Sequence, residues 1–262
     1  MKIQLLVSTM NQKNHSLVQK MNIKGHAILI NQSDIDKTEI FDIENGTITF
    51  ISTTDRGLSK SRNLAIKKSD ADICVIADDD LTYVDDYQQK ILKVFEQCQD
   101  CDIIAFDVPS DNDERPTKRL NKSKVSFLNS MKLASFQLAF RRQSLIDHNI
   151  TFNENFGAGS KKFTSGEENL LLFEALKKKL KIKYYNIKIA KVSHAESTWY
   201  NGFDENLFFT KGALFYQMSN ILYYPLIFQF AVRKHKYYKN FFSFFQALKL
   251  MNKGKKQLKE CE

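Results

Sequence analysis

The run Ile73-Cys74-Val75-Ile76-Ala77 is apolar without alternation and leads straight into Asp78, Asp79 and Asp80. A strand that is apolar on both faces has to be covered on both, as in a parallel sheet packed between helices. The flanking sequence repeats the pattern. Ile3–Thr9, Ala27–Asn31 and Thr47–Ser52 are short, apolar or β-branched runs bounded by polar turns, while Leu58–Lys68 and Val84–Glu96 have helical spacing. Strands alternating with helices predict an α/β fold with a mainly parallel sheet flanked by helices. Further strands are expected at Asp102–Val108, Ser135–Phe140 and Lys181–Val192, an amphipathic helix at Glu167–Lys179, and a mobile charged loop at Ser110–Lys124.

The chain of 262 residues is long enough to bury a large core without staples. Met1–Thr9 is strand-like and runs into polar residues, which is not the pattern of a secretory leader. Cys98 and Cys101 form a single pair with no second pair and no nearby His, so they are expected to be reduced thiols at a helix end. The charge is uneven: the net charge is +9, and Asn206–Glu262 contributes 10 basic against 2 acidic side chains. That segment also holds 14 of the 32 aromatic residues. A body over residues 1–204 and a helical, basic-aromatic extension over 205–262 follow. Gly212–Val232 is uncharged for 21 residues, but Gln217, Ser219, Asn220, Pro225 and Gln229 argue against a membrane span. Basic residues interleaved with Phe and Tyr suit the headgroup layer of an anionic membrane, which predicts peripheral attachment to its cytoplasmic face. The competing expectation is a helical subdomain whose aromatics pack on the body.

Ligands in open α/β sheets bind beyond the carboxyl ends of the strands, where Asp78–Asp80 would emerge. Three adjacent carboxylates repel one another, and a hard divalent cation such as Mg²⁺ or Mn²⁺ would compensate them. Asp55-Arg56-Gly57-Leu58-Ser59-Lys60-Ser61-Arg62-Asn63 combines a Gly turn, a helix start and basic residues, features that favour a phosphate. Glu167 and Glu168 open a helix, where carboxylates suit the dipole, and a carboxylate there could also take a proton from a hydroxyl. His194 directly follows an expected strand.

The order of these pieces from Met1 to Tyr200 resembles the family 2 glycosyltransferases, enzymes of the GT-A fold. The resemblance rests on Val7-Ser8-Thr9, Gly57–Asn63, Asp78–Asp80, Gly166-Glu167-Glu168-Asn169 and the late His194. It implies that Val7, Ser8 and Thr9 line the nucleotide pocket, with Asn31 and Gln32 nearby and Arg62 facing the nucleotide or its diphosphate. Asp78 would contact ribose or metal, Asp79 would belong to the donor pocket, and Asp80 would be the principal metal ligand. His194 would be a second ligand to the metal or the diphosphate. Many members have Glu-Asp where this chain has Glu167-Glu168. Glu168 is taken as the base, with Glu167 as its acceptor-binding partner or substitute. The implied reaction is metal-dependent, inverting transfer from a nucleoside-diphosphate sugar, a UDP-sugar first among them, to a glycan or lipid-linked hydroxyl. A nucleic-acid-binding reading accounts for the tail but leaves both carboxylate clusters without a role, so no nucleic-acid partner is expected. A nucleotidyltransferase would need a Gly-rich loop that Met10–His15 lacks.

Overall fold

A computed structural model describes residues 1–111, 117–193 and 202–260. His194 and Cys261 lie outside the described residues. In chain order the elements are β1 (Ile3–Met10), α1 (Ser16–Lys20), β2 (Ala27–Gln32), β3 (Lys37–Ile43), β4 (Gly46–Thr53), α2 (Leu58–Lys68), β5 (Ile73–Asp78), β6 (Leu81–Tyr83) and α3 (Tyr87–Gln97). They continue with β7 (Ile103–Asp107), α4 (Phe127–Ser130), β8 (Leu138–Arg141), α5 (Arg142–Asp147), α6 (Glu167–Lys177), β9 (Ile182–Lys188) and β10 (Ala190–Val192). Three helices end the chain: α7 (Glu205–Met218), α8 (Tyr223–Tyr238) and α9 (Phe244–Lys259).

The main sheet has the order β3-β4-β2-β1-β5-β8-β7-β9. Strands β4, β2, β1 and β5 run parallel, as do β7 and β9, while β3 and β8 run antiparallel to their neighbours. The unbroken apolar run of β5 is explained by burial on two sides. Ile73, Val75 and Ala77 join one core with Tyr87, Ile91, Val94 and Phe95 of α3. Cys74 and Ile76 join another with Ala65 and Ile66 of α2 and Leu171, Leu172 and Ala175 of α6. Short β6 pairs antiparallel with β10, tying the chain just after the aspartates to the chain just before residue 194.

A third core joins the last three helices to the body. Phe208, Tyr223, Phe230, Tyr238 and Phe242 are buried with Phe156, Phe163, Leu170 and Phe173. Many of the tail aromatics therefore pack inward, as the competing expectation had it. The uncharged Gly212–Val232 stretch is broken between α7 and α8, and no described helix is long and apolar enough to cross a membrane.

The structure corrects three local expectations. Cys98 and Cys101 are joined as a disulfide, because the chain turns back at the end of α3 through the Cys101 N–H to Cys98 carbonyl bond and brings their Cα atoms to 5.3 Å. Ser135–Gln137 is a 3₁₀ turn ahead of β8 rather than strand. The Gln137 side chain holds that turn, accepting from the Ala134 amide and donating to the Phe106 carbonyl at 3.0 Å. The described part of Ser110–Lys124 is anchored rather than loose: Arg119 grips buried Asp107 with two 2.7 Å bonds, and Leu120 is buried.

Candidate active site

The carboxyl ends of the parallel strands meet at one edge. The register places Ser8 beside Asp78 and Thr9 beside Asn31. The Thr9 hydroxyl donates to Asp79 Oδ2 at 2.6 Å and accepts from Gln12 Nε2 at 3.0 Å. Buried Asn31 accepts from the Gln12 amide and donates to the Gln12 carbonyl and to Ser52 Oγ. Gln32 Oε1 accepts from the Gly57 amide at 2.7 Å and so sets the start of α2. Val7 is fully buried in the sheet core. Ser8 is buried as well, and its hydroxyl has no hydrogen-bond partner among the described residues.

Arg62 is the centre of the site. Its side chain is 1% exposed; it donates to Asp78 Oδ1 at 2.8 Å, to Glu167 Oε1 at 2.7 Å and to Ser135 Oγ at 2.7 Å. Its guanidinium also lies over Phe152. Glu167 and Asp78, far apart in sequence, are thereby held by one planar fork, a geometry a lysine could not reproduce. Both terminal nitrogens are engaged by protein, which suits a residue that positions the two carboxylates. Ser135 was not legible as a site residue, because it sat inside an expected strand.

The loop from Phe156 to Gly159 braces this arrangement. Ser59 Oγ donates to the Phe156 carbonyl at 2.6 Å, and the Leu58 amide donates to the Ala158 carbonyl at 2.9 Å. Gly157 has φ 111°, and a Cβ there would stand 3.3 Å from the Glu167 carboxylate. Glycine is required both for the backbone and for the close approach.

Glu168 differs from its neighbour. It is half-buried, accepts from Asn169 Nδ2 at 2.7 Å, and faces two adjoining clefts. Burial, reinforced by the nearby charge of Glu167, pushes its carboxyl up to about 7. The narrower cleft, of about 140 Å³, is lined by Arg62, Asp78, Asp80, Ser135, Glu167 and Glu168. The wider one, of about 470 Å³, reaches from Glu168 to α7 and α8.

The residues at the strand ends fit a hard divalent cation. Asp78 and Asp80 present carboxylates to the same cleft, and Asp78 Oδ2 makes no hydrogen bond among the described residues. Two protein carboxylates leave room for the phosphate oxygens such a cation favours. Ser193, the residue before His194, donates its amide to the Asp80 carbonyl at 3.1 Å.

The pattern that defines the family described as Glycosyl transferase family 2 matches residues 28–165, just over half of the chain. No curated protein sequence matches significantly. Among solved structures, residues 1–349 of S. aureus TarS in complex with UDP-GlcNAc are similar at a TM-score of 0.60 and 16% identity, covering 83% of this chain and 66% of that one. The same TarS region alone gives a TM-score of 0.59 at 15% identity, covering 83% and 65%. Its UDP complex gives 0.58 at 15% identity, again covering 83% and 65%. The chain thus spans slightly less than two thirds of those TarS structures, and the likeness at such identity is one of fold. The family match covers β2 through the start of the Ser165-Gly166-Glu167-Glu168 turn, taking in Arg62 and the three aspartates. This chain belongs to glycosyl transferase family 2.

Proposed function

We propose that the protein transfers a sugar, with inversion, from a nucleoside-diphosphate sugar to an acceptor hydroxyl. The observation that carries this reading is Glu168 at the junction of two clefts, one of them holding Asp78 and Asp80. A nucleotide sugar in the narrower cleft and a hydroxyl in the wider one would meet at Glu168. The carboxylate takes the hydroxyl proton while the acceptor oxygen attacks the anomeric carbon. The bond from that carbon to the diphosphate oxygen breaks, and the nucleoside diphosphate leaves from the opposite face. A carboxyl at about 7 is a stronger base than an ordinary glutamate and is still largely ionised just above neutrality. Glu167, locked by Arg62, keeps its neighbour's charge environment and orientation constant. Asp78 and Asp80 would hold Mg²⁺ or Mn²⁺, which when bound offsets the charge growing on the departing diphosphate. The fold shared with a UDP-GlcNAc complex supports a UDP-sugar as donor.

The experiment is a thermal-shift panel of nucleoside diphosphates and nucleotide sugars, with and without Mn²⁺. A ligand at 100 times its dissociation constant stabilises by about 2.7 kcal/mol. Stabilisation by UDP or UDP-GlcNAc that needs Mn²⁺ and disappears in Asp80→Ala is expected. No response to any nucleotide would overturn the reading.

We further propose that the C-terminal helices rest on an anionic membrane surface, the position of a cytoplasmic peripheral enzyme with a glycan or lipid-linked acceptor. Ile221, Tyr224, Phe228, Phe241 and Phe245 stay exposed although the third core has taken their neighbours. Tyr224 and Phe228 share one face of α8, and Phe228 meets Phe244 at 5.7 Å, so the patch continues onto α9. Exposed Arg233, Lys236, Lys239, Lys249, Lys253 and Lys256 on the same two helices and the turn between them supply the complementary charge.

A further inference from the structure

The wider cleft beside Glu168 is lined by four lysines drawn from separate parts of the chain. Lys118 and Lys132 come from the segments before β8, Lys211 from α7 and Lys234 from α8. Glu168 is the one acidic residue lining it among the described residues. None of these four ammonium groups forms an ion pair among the described residues, whereas nine other lysines of the body do. Lys234 is held instead over the stacked rings of Phe203 and Tyr237, at 5.4 and 5.3 Å from their centroids. Lys211 is half-buried, and burial together with the charges of Lys118 and Lys234 pulls its pKa down against the opposing pull of Glu168 and Glu167. Like charges crowded around a concave surface leave a positive field that a bound anion relieves.

We infer that the acceptor is itself anionic: a phosphate-bearing molecule whose phosphate sits among Lys118, Lys132, Lys211 and Lys234 and whose hydroxyl points at Glu168. This rests on the transferase reading, since it gives that reading its acceptor class. A phosphate suits the site better than a single carboxylate. Four cations against one carboxylate call for a multiply charged partner, and lysines serve as point-charge phosphate binders. The apolar walls, Phe136, Leu207 and Phe230, leave space beside the charged rim for a carbon chain that bears the hydroxyl.

The test uses the whole chain with its donor site saturated by UDP and Mn²⁺, and glycerol phosphate as probe, with glycerol and glucuronate as neutral and carboxylate controls. Binding is read by calorimetry in wild type and in the double variant Lys118→Ala/Lys234→Ala. Both positions are at the cleft rim, and a thermal melt checks that the variant folds. Glycerol phosphate is expected to bind in the presence of UDP, glycerol not to bind, and glucuronate to bind more weakly. The double variant should lose about tenfold or more in glycerol phosphate affinity, with its UDP affinity unchanged. Four results would overturn the inference while leaving the donor reading intact: no glycerol phosphate binding, competition between the probe and UDP, equal binding by wild type and variant, or a parallel fall in UDP affinity, which would make the lysines part of the donor site. Failure of wild type to bind UDP at all would overturn the donor reading, and the acceptor inference with it. If the double variant does not fold, Lys132→Ala and Lys234→Gln, taken singly, are read against the same outcomes.

Discussion

Arg62 shows how much one side chain can organise. It holds Asp78, at the end of a strand, and Glu167, at the start of a helix, from a side chain that is itself almost wholly buried. Replacing it with Met would leave Glu167 as a buried, unpaired charge, so Arg62→Met is expected to lose about 3–5 kcal/mol in urea unfolding. Arg62→Lys should recover only part of that, since an ammonium cannot serve both carboxylates in one plane. Glu168 calls for a different prediction. Glu168→Gln removes the proposed base without changing the shape of the site, and transfer should fall about 10²–10⁴-fold while donor binding persists. The sequence placed both glutamates at a helix start, and only the family resemblance put Glu168 forward as the base, with Glu167 as partner or substitute. The distinction lies in Arg62 taking up one of them, a contact across 105 residues that no local pattern reports. A lone Arg in a basic helix start looks like a phosphate ligand, and only packing reveals that both its terminal nitrogens also bind protein groups.

At the scale of elements, the parallel strands were legible because an apolar run buried on both faces has one common explanation. The edge strand β3, with the sequence Lys-Thr-Glu-Ile-Phe-Asp-Ile, was not, because its alternation is interrupted by charge and it is paired on one side only. β6 was missed because a three-residue strand carries no periodic signal, and the expected Lys181–Val192 strand is split into β9 and β10, which join different sheets. The crossing of α7 and α9 was equally hidden. A Cβ on Gly212 would lie 1.9 Å from the Met251 carbonyl oxygen, and one on Gly254 the same distance from the Phe209 carbonyl oxygen. The two backbones are in direct contact, so Gly212→Ala has to push the helices apart. A cost of about 1–3 kcal/mol is expected from overpacking, visible as a lower melting temperature. Because α7 carries Lys211 and packs against α6 through Leu214, the same change should also weaken transfer. Gly157→Ala should do so more directly, by displacing the loop that braces Glu167.

For the whole molecule, the third core makes the C-terminal helices one wall of the wider cleft, so the extension lines the candidate active site and is a candidate membrane contact as well. The excess of charge and aromatic residues in the tail was visible in composition. Which aromatics turn inward was not, since that depends on α6 and the Phe156–Phe163 loop supplying the other half of the core. Binding to vesicles containing an anionic lipid, weakened by salt and by Phe228→Ser/Phe245→Ser, is expected in a co-sedimentation assay. Equal binding to neutral vesicles, or a dimer disrupted by the same pair of changes, would contradict the membrane reading. The central claim is that Glu168 is the base of a nucleotide-sugar transferase, and the most direct test is the pH dependence of UDP release from UDP-GlcNAc with Mn²⁺. Water can stand in for the unknown acceptor in that assay. Because the Glu168 carboxyl is raised, its basic form is lost as pH falls below about 7. The wild-type rate should therefore climb through about pH 7 to a plateau, and Glu168→Gln should bind UDP normally but release it at least about 100-fold more slowly across the range. A Glu168→Gln enzyme with the wild-type rate and the same pH profile would contradict the account.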